Sequence, residues 1–145
     1  MKHDGLNLSG VVLIVYLSLS LPACSTSLST SNTTKPGLPA YEGFVDDVSC
    51  EAITAWGWDK NRPNDAVKLD FYDGNVLLDT VTAGALRQDL VNAGKGNGKH
   101  YVLWPVPIQL KDGIKHDIKV KFGGTAIELP LAKPMPKDFT CGLER

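Results

Sequence analysis

The chain has little of what marks a nucleic-acid binder or an enzyme. Fifteen Lys and Arg against sixteen Asp and Glu leave a net charge of −1. The lysines are scattered among acidic residues, so no basic face is offered to a polyanion and no nucleic-acid partner is expected. There is no Ser-His-Asp arrangement, no phosphate loop and no metal motif. Beyond the first residues the only histidines are His100 and His116, and three widely spaced cysteines add no close ligand pairing for zinc. No catalytic residue, metal or cofactor is therefore assigned. The one long apolar run, residues 11–21, falls short of the roughly 20 residues a helix needs to span a bilayer comfortably.

What is present begins with an address. Lys2 lies in a short polar start, its charge cancelled by Asp4, and the apolar run VVLIVYLSLSL leads to Leu21-Pro22-Ala23-Cys24. Those four residues resemble the lipobox of bacterial lipoproteins. The resemblance implies that residues 1–23 are a lipoprotein signal peptide, that the bond before Cys24 is cut, and that Cys24 is acylated. The expected location is the bacterial cell envelope, with the domain exported and held to the membrane through the lipid at Cys24. Ser25 in place of Asp resembles lipoproteins sent on to an outer membrane, where the source has one. Ordinary signal cleavage and an uncleaved anchor are the alternatives. Residues 25–40, STSLSTSNTTKPGLPA, are too rich in Ser and Thr to bury a face. With Cys24 they predict a disordered tether reaching on the order of 20 Å.

Removing residues 1–23 leaves enough chain for one domain and too little for two. Three cysteines in an exported chain is an odd number, and acylation of Cys24 resolves it. Cys50 and Cys141, near the two ends of the folded part, are then expected to form a disulfide in an oxidising compartment. Two buried free thiols are the other reading.

Residues 41–141 predict the folded domain, followed by a short tail, 142–145. Apolar residues recur with a period of two. Ile114, His116, Ile118, Val120 and Phe122 share one side of a predicted strand, with Lys115, Asp117, Lys119 and Lys121 on the other. Val67, Leu69 and Phe71 alternate likewise, and Asp73-Gly74 then signals a hairpin whose return strand is residues 76–82. Asp112-Gly113 and Gly123-Gly124 mark further turns, the second leading into residues 125–129. Residues 85–92, ALRQDLVN, break the pattern. Leu86 and Leu90 fall on one helical face, which predicts a short helix across the end of a sandwich. The GKGNGK loop after it has helix before and strand after, the reverse of a phosphate cradle.

The most distinctive run is Cys50 to Asp59, CEAITAWGWD. On an extended strand Cys50, Trp56 and Trp58 fall on one face, apart from any bulge at Gly57. A buried aromatic beside an inter-sheet disulfide would centre an immunoglobulin-like sandwich. An exposed one would offer a flat stacking surface to a sugar ring or an apolar patch.

Together with Gly43-Phe44-Val45-Asp46, Tyr72-Asp73-Gly74, Arg87-Gln88-Asp89-Leu90, Gly94-Lys95-Gly96, His100-Tyr101, Asp112-Gly113 with His116, and Cys141, this run resembles a family of β-sandwich modules. Such modules occur singly or in repeats on bacterial secreted and surface proteins. The resemblance covers nearly the whole folded part and implies a non-catalytic accessory.

The expectation is an all-β, immunoglobulin-like sandwich of about seven strands with one short helix. Its expected role is that of a binding or adhesion module for carbohydrate or a protein partner. The candidate surface is Trp56 or Trp58 with Tyr72, Tyr101 and Trp104. Asp59, Arg87, Asp89 and His100 are expected to be structural polar groups, with Arg87 tying the helix to strand-end carbonyls or to a carboxylate such as Asp59. The alternative role is a structural or assembly subunit of an envelope complex, docking through a strand edge.

Overall fold

The computed structural model describes residues 40–134 and 139–142. Cys24, the export segment, nearly all of the tether and most of the tail lie outside them. Among the described residues seven strands form two antiparallel sheets. They are β1 (Tyr41–Val48), β2 (Ala52–Asp59), β3 (Val67–Asp73), β4 (Val76–Ala83), β5 (Ala85–Leu86), β6 (Lys99–Pro105) and β7 (Ile118–Phe122). A five-residue helix, α1 (Gln88–Asn92), joins β5 to β6. The first sheet runs β1-β2-β6-β5 and the second β4-β3-β7. The first order is that of the A-B-E-D sheet of an immunoglobulin sandwich, so the chain is an all-β, immunoglobulin-like domain.

Period-two alternation builds the core between the sheets. Ile53 and Ala55 of β2, Leu69 and Phe71 of β3, Val102 and Trp104 of β6 and Val120 and Phe122 of β7 all face inward. Phe71 stacks on Trp104 with ring centroids 4.4 Å apart. The Cys50–Cys141 disulfide closes a loop of 91 residues over this core. A loop of that length is worth about 4 to 5 kcal/mol in the chain-entropy account, before native strain and denatured-state structure reduce it.

Three local expectations change. The predicted helix over residues 85–92 is confined to Gln88–Asn92. Ala85 and Leu86 pair with β6, and Leu86 is left 59% exposed while Leu90 is buried. Pairing with β6 overrides helix propensity there. The β7 strand is shorter than its alternation suggested: it starts at Ile118, and Ile114 is exposed in the loop before it. Residues 125–129 form no full strand. They make a bridge from Lys121 to Glu128, and the chain then bridges Val45 to Leu131 in parallel.

These bridges close two sheet edges. The β7 edge is covered by Phe122 N–H to Ile127 O and Leu129 N–H to Val120 O, and β1 by Val45 N–H to Pro130 O. β5 is only two residues long. β4, an edge as long as β1, carries a register break opposite Phe71/Tyr72 and an Asp79 paired with the inward Phe71. That carboxylate accepts the Trp104 indole N–H at 2.9 Å and the Thr80 backbone N–H at 2.8 Å. Short length, a bulge and an inward charge are the devices that stop a sheet from pairing further.

Candidate functional site

Trp56 and Trp58 are buried, at 7% and 8% exposure, but outside the inter-sheet core. They form a second cluster with Leu90 of α1 on the outer face of the first sheet. Gly57 between them explains the placement. A Cβ on Gly57 would come within 2.9 Å of Phe122 and 3.0 Å of Leu69, so this inward position must be bare for the second sheet to approach. The tryptophans on either side then point outward. They sit apart from the disulfide, and it is Trp104 that fills the inter-sheet core.

A roof made by residues 87–98 covers them. Two cationic side chains cross from this segment to β1, each passing over aromatic rings. Lys95 lies 4.9 Å from the Trp58 ring and 6.0 Å from that of Trp56, and its ammonium bonds Glu42 at 2.5 Å. Arg87 lies 5.2 Å from the Tyr101 ring and pairs with Asp46 and with Asp89. These contacts combine an ion pair with a cation–π attraction. The bonds to Asp89 and Asp46 hold the Arg87 guanidinium above even its usual high value. The roof also docks on the β2–β3 loop. Gly96, at φ 54°, lies so close to Pro63 that a Cβ would sit 1.7 Å from the Pro63 carbonyl oxygen. Asn97 bonds the Asn64 carbonyl at 3.1 Å, and the Trp58 indole N–H bonds the Pro63 carbonyl at 3.1 Å.

His100 lies fully buried beneath this junction, 6.5 Å from Trp58 by ring centroids. Neither ring nitrogen has a hydrogen bond of good geometry. Desolvation pushes its pKa down, opposed in part by the backbone of Pro63 and Lys95, which favours the neutral imidazole. Asp59 is also buried. Burial alone would raise its carboxyl, but the Asn61 N–H, the Arg62 guanidinium and the Ala40 N–H outweigh that and hold it low. Its charged partner is thus Arg62, at 3.0 Å, and the expected Arg87–Asp59 tie is replaced by Arg87–Asp46. Their separation in sequence, 41 residues, left no local signal for that pair.

The expected aromatic surface is accordingly not presented. Trp104 is core, Trp56 and Trp58 are roofed, and Tyr72 lies half-buried on the other sheet with Lys121 4.7 Å from its ring. Tyr101 borders an opening. Where the roof ends, a groove of about 560 Å³ runs over the outer face of the first sheet. Tyr101 and Thr54 line it from the sheet, Arg87 from the roof, and Asp46, Asp47 and Lys133 from the rim. Asp46 and Asp47 were missed from sequence because they gain this position only through a register break in β1 between Val45 and Asp47. Among the described residues no group of three or more His, Cys, Asp or Glu is placed to hold a metal, and no helix is long and apolar enough to cross a membrane. Comparison with protein-family models, curated proteins and solved structures finds no match to the chain.

Proposed function

We propose that the chain is a non-enzymatic binding module, held at the bacterial cell envelope by a lipid on Cys24, that takes a carbohydrate in the groove beside Tyr101 and Arg87. One observation carries this reading. The groove sets an aromatic ring beside a guanidinium, two carboxylates and a hydroxyl, within an open volume of about 560 Å³. A few convergent polar groups around an apolar surface are what orient a small ligand. Carboxylate and guanidinium groups bond vicinal hydroxyls, and the ring offers a face or edge to sugar C–H groups.

The test is a glycan array probed with the full chain and with Tyr101→Ala and Arg87→Ala. Both substitutions are expected to abolish whatever signal the parent gives, and signal that persists unchanged in both overturns the site. Incorporation of labelled palmitate, expected for the parent and lost in Cys24→Ser, tests the anchor separately.

Docking of an envelope protein through a strand edge is the second reading. Val76 and Leu77, 64% and 50% exposed at the start of β4, favour it. The bulge and Asp79 stand against it. Crosslinking in the native envelope that returns one recurrent protein partner through β4, with no glycan enrichment, would favour this reading over the first.

A further inference from the structure

We infer that the groove has two parts and that its ligand is a linear, uncharged oligosaccharide lying across the β1 bulge, rather than a single sugar or an acidic polymer. This rests on the groove being the carbohydrate site. In β1, Val45 opposes Ala55 and Asp47 opposes Thr54, so Asp46 is an extra residue. A bulge of this kind re-aims side chains, and here it sends two consecutive carboxylates to the same opening. Asp46 and Asp47 line the 560 Å³ groove on one side and a second hollow of about 210 Å³ on the other. Lys133 also borders both.

The two halves differ in chemistry. Tyr101, Thr54 and Arg87 make the first polar and aromatic. Val45, Val48 and Leu131 give the second an apolar floor, and Leu131 is 43% exposed there. Arg87 and Tyr101 border only the first part, whereas Asp46, Asp47 and Lys133 are shared by both. A chain can therefore place one ring against Arg87 and Tyr101 and run over the bulge toward Leu131.

The charges decide between neutral and anionic chains. Asp46 is paired with Arg87, and Asp47 lies 3.9 Å from Lys133. Arg87 is further neutralised by Asp89, which is 62% exposed. Arg87 is engaged by two carboxylates, Lys133 is only loosely matched, and Asp46, Asp47 and Asp89 together outnumber these two cations. A uronic or phosphorylated polymer would meet net negative charge, while hydroxyl groups can bond to these groups as they stand.

Calorimetric titration of the full chain with cello- and chito-oligosaccharides of one to six rings, beside galacturonate oligomers of matched length, tests this. The expected result is an affinity gain of about tenfold or more between one ring and three, then a plateau. Neutral chains should bind more tightly than acidic ones of equal length. Leu131→Asp, at an exposed position, is expected to remove the gain from chain length, with circular dichroism verifying the fold. Equal affinity for one ring and three, or preference for the galacturonates, overturns the inference and leaves the carbohydrate site standing. Absence of binding to every oligomer overturns both.

Discussion

The two ends of the sandwich each bury a histidine, and they hold it in opposite ways. At one end, where β2 finishes and β6 begins, His100 is wholly buried with the backbone of Pro63 and Lys95 beside its ring and no carboxylate partner among the described residues, under a roof that packs by close approach of backbone and rings. At the other end His116, 7% exposed, places one ring nitrogen 2.8 Å from Asp73 and the other 3.1 Å from Asp112. A neutral imidazole has one N–H, so two carboxylate partners call for the doubly protonated ring. The same end carries the disulfide and a C-terminal segment bonded to residues 113–116 through Gly113 N–H to Cys141 O and His116 N–H to Phe139 O. One end is thus clasped by a covalent bond and a histidine between two carboxylates; the other packs its histidine without a carboxylate partner, under a roof fastened at its margin by Lys95–Glu42 and Arg87–Asp46. The candidate groove lies over the sheet beside that roof.

The largest way to break this contrast is to cut the clasp. Cys50→Ser with Cys141→Ala is expected to cost about 4 kcal/mol in urea unfolding. Hydrogen exchange should quicken at residues 139–142 and 113–116 while amides of the roof keep their protection. Equal loss at both ends would mean that they do not act independently.

Gly96→Ala attacks the other end. Strain at positive φ plus collision with the Pro63 carbonyl is expected to cost about 3 kcal/mol. Undocking the roof should shift tryptophan emission to the red, because Trp56 and Trp58 become wet, whereas the disulfide variant should leave it unchanged.

His116→Gln sharpens the contrast by keeping the shape of the clasp and removing its charge. The two carboxylates it leaves are 30% and 43% exposed, so the expected cost is about 2 kcal/mol, below that of a fully buried pair. Adding Asp112→Asn should restore part of it. A cost below about 0.5 kcal/mol at pH 6 would show that the ion pair contributes little.

Strand alternation, the Asp73-Gly74 hairpin and the Cys50–Cys141 bridge were legible because each is written in local spacing or a simple count. The placement of Trp56 and Trp58 was not. A strand buried on both faces loses the contrast between inward and outward residues, and only Gly57, read as a bare inward position, could have revealed which way the tryptophans point. The sequence offers Asp59 as a partner for Arg87, whereas the actual partner, Asp46, is set by the order of strands in the sheet. The groove depends on a one-residue slip in β1, which no periodicity records.

The smallest effect is the most diagnostic, since it reads both ends in one titration. The bond to Asp73, with that to Asp112, raises the pKa of His116 above its ordinary 6.5. The stability it contributes is complete below 6.5 and is lost as pH rises through the raised value. Burial lowers the pKa of His100 below 6.5, so stability is unaffected by it above that pH and is lost as pH falls through the lowered value. Between about pH 5 and 8, where histidines dominate titration, unfolding free energy should therefore peak near the ordinary histidine value and fall on both sides. His100→Phe is expected to flatten the acid limb alone, and His116→Gln the alkaline limb alone. If each variant keeps both limbs, other groups govern the titration, and the opposition between a histidine with carboxylate partners and one without them has no energetic consequence.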